Sequence, residues 1–214
     1  SGSLGTTQTT ATWSLGTAWS FDGPTPLRVE WAWQVNLFSA GWVAFLSGLT
    51  WLALTSVPHN ADGSDCGTRD IATGLLLIAA VSLILSVELV PMLFCWGAIS
   101  LATSVLTAVD SNSEESSRAN RRMILTGLCS DGLQVLAVLL MCTTCGTTVI
   151  DNVLSSDGLA KLAQRTPALP GFIGCLLVLG VLGRGGLFPC FGWHVAASDW
   201  NRTTWTMVYL AGYV

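Results

Sequence analysis

The chain has 214 residues, of which 51% are hydrophobic and only 10% are charged, and its formal net charge is −4. Soluble domains carry about 25% charged residues, so this composition argues against a water-soluble protein, and the small net charge gives no reason to expect a nucleic-acid partner. The composition therefore predicts a membrane protein with the lipid bilayer as its first partner. Ten tryptophans are available as interfacial anchors.

The first 30 residues differ from the rest of the chain. Residues 1–30 are rich in Ser, Thr, Gly and Trp and include two prolines, so they are expected to form an extended segment at the membrane surface. Residues 31–214 are predicted to form one all-α transmembrane domain. Its first span runs from Phe38 to Val57, twenty uncharged residues, which is enough to cross about 30 Å of hydrocarbon.

A second apolar region is too long for a single span. It runs from Ile71 to Val109, which would overshoot a bilayer as one helix. Glu88 and Pro91 interrupt it. We therefore expect two spans joined by a tight turn, with Glu88 as a solvated residue of that turn.

The fourth span is predicted from Met123 to Met141 and contains Asp131 near its middle. Residues 146–167 then have mixed polarity, which is more typical of a short amphipathic helix on the membrane surface than of a span. The sequence thus predicts a surface element between the fourth and fifth spans.

The fifth span is predicted from Gly171 to Phe188 and ends directly before Pro189. Arg184 lies among glycines near the end of this span. A sixth begins near Thr203 and is truncated by the end of the sequence. The domain is therefore expected to be a partial bundle of five full spans and a sixth incomplete one.

The basic residues give an orientation, because Lys and Arg concentrate on the cytoplasmic side of membrane proteins. More of them fall on one side of the predicted topology, which we therefore expect to be cytoplasmic, in an integral protein of the bacterial inner membrane. That side has Arg69, Arg118, Arg121, Arg122 and Arg202, and the other has Arg28, Lys161 and Arg165.

Four segments carry local patterns in a recognisable order. "WAWQVNLFSAGWVAFLSGLTWLAL" is similar to "DGLS…TG", and "SVELVPMLFCWGAISLATSVL" is similar to "ADNLLxxxxGWExVGLxSYLL". "ANRRMILTGLCSDG" is similar to "AxKAFxxxRxGD", and "LGVLGRGGLFPCFGW" is similar to "xGAxGKSAQxPxxxW". Together they resemble the large antiporter-like subunit of NADH–quinone oxidoreductase, called chain 5 or subunit L. The match covers that family's third to eighth helices, so we expect a fragment or a reduced relative.

The resemblance implies the family's antiporter-like fold, with a discontinuous helix near Pro189. Such a break is tolerated in a membrane where the loosened backbone lines a hydrated cavity. Trp96, Pro189 and Trp193 fall on residues of the family pattern and are expected to serve the scaffold. Asp131 falls on the family aspartate and is a candidate for the proton pathway.

At several positions where the family pattern has an ionisable residue, this sequence has a different residue. Gly97 stands at the position of a glutamate, and Leu128 at that of an arginine. Arg184 stands at the position of a lysine that, in the family, exchanges its proton partner during pumping, and arginine is a poor group for releasing protons. Tyr209 falls where the family has a histidine. Arg184 and Tyr209 complete the proton-pathway candidates, and Gly97 casts doubt on pumping by the standard route.

The two central candidates each allow a second interpretation. Asp131 in a span is by default a functional acid, or else a structural aspartate bonded to Ser130 or to a neighbouring helix. Arg184 either faces a buried cavity and pairs with Asp131 or with an acid from a missing helix, or it extends to the lipid headgroups.

The resemblance favours a membrane subunit that contributes a proton half-channel to a respiratory NADH–quinone oxidoreductase, with other membrane subunits and protons or a small cation as partners. Alternatives are a related subunit of a cation/proton antiporter, a membrane hydrogenase or an inorganic-carbon uptake complex, and a degenerate scaffold without transport. No phosphate loop or iron–sulfur spacing is present, so we expect no cofactor, no redox centre and no catalytic residue. Cys142-x-x-Cys145 lacks further ligands, and no metal site is expected.

Overall fold

The computed structural model describes residues 10–21, 27–55, 64–109 and 113–185, together with residues 204, 206 and 208. In this part of the chain a two-stranded hairpin precedes a bundle of helices. The elements are β1 (Ala11–Phe21), β2 (Leu27–Val35), α1 (Leu37–Thr55), α2 (Ser64–Leu85), α3 (Leu89–Val109), α4 (Glu114–Cys145), α5 (Ile150–Leu154), α6 (Ser156–Arg165) and α7 (Leu169–Arg184).

The predicted all-α membrane bundle is confirmed, although fewer spans reach full length. Within the described residues, three helices are long and apolar enough to cross a membrane: Gly67–Leu85 in α2, all of α3, and α4. The helices α6 and α7 are bent by 107° at a short break and make a fourth candidate if they count as one broken span. In α1 the apolar stretch Leu37–Leu52 is shorter. Of the predicted sixth span, residues 204, 206 and 208 are helical.

The helix boundaries follow from local sequence. The turn predicted around Glu88 is present, because α2 ends at Leu85 and α3 begins at Leu89. Pro91 lies in the first turn of α3, where its missing N–H costs no helical hydrogen bond. The fourth span starts earlier than predicted. A capping box between Ser113 and Ser116 begins α4, and Gly146 ends it with a left-handed φ of 69°.

The hairpin is more ordered and longer than the extended segment expected for residues 1–30. Strands β1 and β2 pair antiparallel, and β2 continues past residue 30 to Val35. The alternating β-branched and aromatic residues of β2 favour a strand. The hairpin contacts the turn between α2 and α3, where the Val87 N–H donates to the Ala32 carbonyl at 3.2 Å.

Glu88 is buried, which corrects the prediction of a solvated turn residue. Its side chain is only 4% exposed. Its carboxylate Oε2 accepts hydrogen bonds from the Glu30 backbone N–H at 2.9 Å and from the Thr148 Oγ1 at 2.8 Å. The hairpin and the segment after α4 both cover this turn, so one carboxylate joins three parts of the chain.

The bundle has two ends, the hairpin end and the α3–α4 end. The hairpin end contains the hairpin, the turn at Glu88, the C-terminus of α4, and helices α5 and α6; the α3–α4 end is where α3 finishes and α4 begins. The basic residues divide between these ends as the predicted topology requires. Arg69, Arg118, Arg121 and Arg122 are at the α3–α4 end, and Arg28, Lys161 and Arg165 are at the hairpin end.

Candidate functional site

A partly buried ion pair joins two helices in the middle of the bundle. The Arg184 Nη1 lies 2.7 Å from the Asp131 Oδ1, and the two side chains are 9% and 20% exposed. Asp131 is on α4, and Arg184 is the last residue of α7. Taking charges out of water costs several kcal/mol per ion, so each of these two groups depends on the other.

Two residues of α3 complete the site. The Ser100 hydroxyl donates to the Asp131 Oδ2 at 2.5 Å, and the Arg184 Nη1 donates to the Ser100 Oγ at 2.5 Å. The Arg184 Nη2 donates to the Trp96 carbonyl at 3.3 Å, and the guanidinium carbon lies 5.0 Å from the centroid of the Trp96 ring. The arginine is thus held by a carboxylate, a hydroxyl, a carbonyl and an aromatic face.

Glycines on α7 bring Arg184 this close to α4. A Cβ at Gly183 would collide with the Ser130 hydroxyl, and a Cβ at Gly180 would lie 2.7 Å from the Cγ of Gln134. Helices approach closely where such small residues meet them. The glycine stripe of α7 therefore packs against α4 of the same chain and positions the arginine beside Asp131.

A cavity lies on one side of the ion pair. Its volume is about 320 Å³, and it extends from Ser100 to Ser104 along α3 and from Asp131 back to Met123 along α4. Both directions lead towards the α3–α4 end. Beyond the cavity on the same side, the Thr107 hydroxyl donates to the Asn120 Oδ1 at 2.7 Å. Polar groups thus follow one direction away from the ion pair.

The opposite direction is mainly apolar, with the buried Gln134 as a polar exception one turn from Asp131. Between the ion pair and the hairpin end, helices α3, α4 and α7 pack through buried hydrophobic side chains. This cluster includes Leu89, Ala137, Val138, Met141, Cys142, Ile173 and Leu176. A cavity of about 400 Å³ also lies on this side between α3 and α4, but its lining is almost entirely apolar and includes Leu93, Val138 and Cys142. The two cavities thus differ in lining, because the one at the ion pair includes Asp131 and serine side chains.

The structure brings together some of the residues that the sequence singled out. Arg184 pairs with Asp131 and does not extend to the headgroups, and Trp96 lies beneath the guanidinium. Asp131 is not bonded to Ser130, whose hydroxyl donates to the Thr126 carbonyl. The other three candidates lie outside the described residues: Pro189, Trp193 and Tyr209.

Sequence reasoning missed Ser100. It lies one helical turn after Trp96 and three residues after Gly97, on the face of α3 that meets Asp131. The available signal was a polar residue at helical spacing from the tryptophan. At Gly97 itself a Cβ would meet no atom within 4 Å, so nothing in the described packing requires a glycine there.

This architecture is shared with a solved membrane assembly. The chain superposes on a subunit in the structure of the Mrp complex from Dietzia sp. DQ12-45-1b with a TM-score of 0.76 and 16% sequence identity. The match covers 95% of this chain and 22% of that one. At this identity the likeness shows a common fold, and the chain spans about a fifth of the length of its structural neighbour.

The family follows from the sequence. The family model described as "NADH:quinone oxidoreductase/Mrp antiporter, TM" matches residues 86–212, which include α3, α4 and α7 and so all four residues of the site. The chain belongs to this family of antiporter-like membrane subunits. No curated protein sequence matches it.

Proposed function

We propose that the chain contributes a proton half-channel to a proton-translocating NADH–quinone oxidoreductase of the bacterial inner membrane. In this half-channel Asp131 takes up and releases the proton, and Arg184 stays positively charged throughout. The observation that carries the proposal is the partly buried ion pair with a cavity on one side of it that reaches Asp131 and includes serine and threonine side chains in its lining. Arginine is protonated at all physiological pH values, so the carboxylate is the member of the pair that can titrate.

The ion pair links proton uptake to a second event. Protonation of Asp131 would leave Arg184 as a buried charge without a counter-ion, and removing one partner of a buried pair costs about 3–5 kcal/mol. The residue at position 97 is glycine and supplies no other acid. Proton uptake therefore needs a movement of Arg184 or a negative charge brought near it by a neighbouring subunit.

The surroundings of the pair give this uptake a direction. The cavity approaches Asp131 from the α3–α4 end, and the excess of basic residues at that end supports a cytoplasmic position for it under the positive-inside rule. The apolar packing towards the hairpin end opposes passage of a proton in that direction. This chain would thus load a proton from the cytoplasm, and exit would require another path.

The proposal is tested by Asp131→Asn in the full-length gene product with its partner subunits, in sealed membrane vesicles. NADH-driven proton translocation should fall to about a tenth or less, because the substitution removes both the titrating group and the counter-ion of Arg184. Asp157→Asn, at an exposed site on α6, is the control. Complex content is measured in parallel. Assembled complex with unchanged translocation would refute the half-channel and favour a degenerate scaffold.

A cation/proton antiporter is the second candidate, and the structural likeness to a subunit of the Mrp complex favours it. The same vesicles separate the two functions. Proton movement that needs NADH and no added cation supports the oxidoreductase. Proton movement that follows an imposed sodium or potassium gradient without NADH supports the antiporter. A subunit of a membrane hydrogenase or an inorganic-carbon uptake complex would show proton movement under neither condition. Its proton movement, driven by its own complex, would still be lost in Asp131→Asn.

A further inference from the structure

We infer that Ser100 is the positioning residue of the ion pair and that its hydroxyl sets the pH range in which Asp131 exchanges its proton. The inference rests on the proposed half-channel and adds a residue to it. It starts from a difference between Ser100 and the other hydroxyl-bearing residues of the same cavity.

The other hydroxyls are engaged within their own helices. The Ser104 hydroxyl donates to the Ser100 carbonyl at 2.7 Å, the Thr103 hydroxyl donates to the Ile99 carbonyl at 2.9 Å, and the Thr126 hydroxyl donates to the Arg122 carbonyl at 3.0 Å. A hydroxyl has one proton to donate, and bonding to the preceding turn is the common choice for Ser and Thr in helices.

Ser100 departs from that habit. Its hydroxyl donates across to Asp131 on α4, while its oxygen accepts from Arg184 on α7. Each carboxylate oxygen then has its own donor, because the Oδ1 accepts from the arginine and the Oδ2 accepts from the serine. Hydrogen bonds to the ionised form of a carboxylate favour that form. The serine thus stabilises the state in which Asp131 is paired.

A hydroxyl can also serve the protonated state. If the Asp131 Oδ2 gains a proton from a hydronium ion in the cavity, the acid can donate to the Ser100 oxygen. The serine proton can then turn to the Trp96 carbonyl, one turn back on α3, which now accepts from Arg184. Ser100 keeps its own proton throughout, and the net change is one excess proton transferred from a hydronium ion to Asp131, which leaves a neutral water molecule in the cavity. Alanine could support neither state.

Few other charges act on Asp131. Among the described residues that line the cavity, Asp131 and Arg184 are the ionisable ones. On α4, the cations Arg121 and Arg122 lie nine or more residues away at the α3–α4 end, and Glu88 precedes α3 at the hairpin end. The ionisable residues of α6, which packs on α4 and α7, also lie at the hairpin end: Asp157, Lys161 and Arg165. A change at Ser100 should therefore alter the pH profile mainly through its effect on Asp131.

The experiment is the pH profile of proton translocation in vesicles that contain the assembled complex. Removing a donor from the charged carboxylate lets Asp131 keep its proton to higher pH. Ser100→Ala should therefore shift the whole profile upward by about one pH unit, as expected for one hydrogen bond to a charged group. Ser100→Thr keeps the hydroxyl and adds a methyl group beside a cavity, so it should reproduce the wild-type profile.

The matched control is Thr50→Val on α1, which removes a buried hydroxyl that donates within its own helix away from the ion pair and should leave the profile in place. If Ser100→Ala does not assemble, Ser100→Cys replaces it, and the weaker S–H donor should give a smaller upward shift. The inference would be overturned if Ser100→Ala had the wild-type pH profile, or if Ser100→Thr shifted the profile as far as Ser100→Ala does. In either case a loss of translocation in Asp131→Asn would leave the proposed half-channel in place. If Asp131→Asn left translocation intact, the half-channel would fail first and the inference with it.

Discussion

The two halves of the α3–α4 helix pair, divided at the ion pair, have opposite character. Towards the α3–α4 end the interface contains hydroxyl and amide side chains and a cavity of about 320 Å³. Towards the hairpin end it contains packed leucine, valine, methionine and cysteine side chains. The halves also differ in their neighbours, because α7 packs against α4 in the hairpin half and ends at Arg184. The comparison shows that the lining of one helix interface can change from apolar to partly polar at an ion pair.

The contrast should appear most strongly in chemical labelling. Ser104→Cys places a thiol in the polar half, whereas the native Cys142 lies in the apolar half and is 5% exposed. A charged thiol reagent added from the α3–α4 side should label the new cysteine about a hundredfold faster, because Cys142 lies at a cavity with an almost entirely apolar lining, which a charged reagent enters at a high cost in free energy. Mass spectrometry of the assembled complex measures both rates. Equal rates would show that the two halves do not differ in access.

The junction between the halves can be disturbed through the glycines of α7. Gly183→Ala places a methyl group against the Ser130 hydroxyl, so α7 must move away from α4 and carry Arg184 with it. Overpacking of this kind costs about 1–3 kcal/mol, and thermal denaturation of the purified complex should register it. Gly174→Ala, on the same helix with no atom within 4 Å of the new Cβ, is the control. Equal stability of the two variants would contradict the close packing described here.

The hairpin end can be loosened without touching the ion pair. Glu88→Gln weakens two hydrogen bonds to a buried carboxylate, and about 1–2 kcal/mol of stability should be lost. The rate of limited proteolysis in the hairpin should rise in proportion to the loss of stability, by about tenfold for each 1.4 kcal/mol. The comparison variant is Glu30→Gln, since only the backbone N–H of Glu30 takes part in the bond. If both variants resist proteolysis like the wild type, the carboxylate does not hold the hairpin.

The sequence was most informative where a charge interrupts an apolar run. Asp131 and Arg184 are visible in that way, because burying an ion needs a partner and few other ions are available. The bundle itself was predictable for a similar reason, since long uncharged runs have few alternatives to a membrane helix. Which ions meet, and at what distance, depends on how α7 packs against α4.

Two features could not be read from the sequence. Glu88 looked like a solvated turn residue because it lies between two spans, but its burial depends on residues 58 and 60 positions away in the chain. Ser100 looked like an ordinary helical serine, and its role depends on a carboxylate and a guanidinium supplied by other helices. Each of these polar residues is defined by distant partners, which local pattern and hydropathy do not reveal.

The depth of the ion pair has an electrical consequence. Ser100 is the twelfth of the 21 residues of α3, so a proton that reaches Asp131 from either surface has crossed about half of the hydrocarbon. One elementary charge moved across the whole membrane is worth about 2.3 kcal/mol per 100 mV, and half of that distance is worth about 1 kcal/mol. Paired with Arg184, the ionised Asp131 gives a neutral unit, whereas the protonated one leaves a positive charge at mid-depth. In the half-channel that we propose, occupancy of this site by a proton would therefore be voltage-dependent, and a membrane potential of about 100 mV would change it several-fold at constant pH.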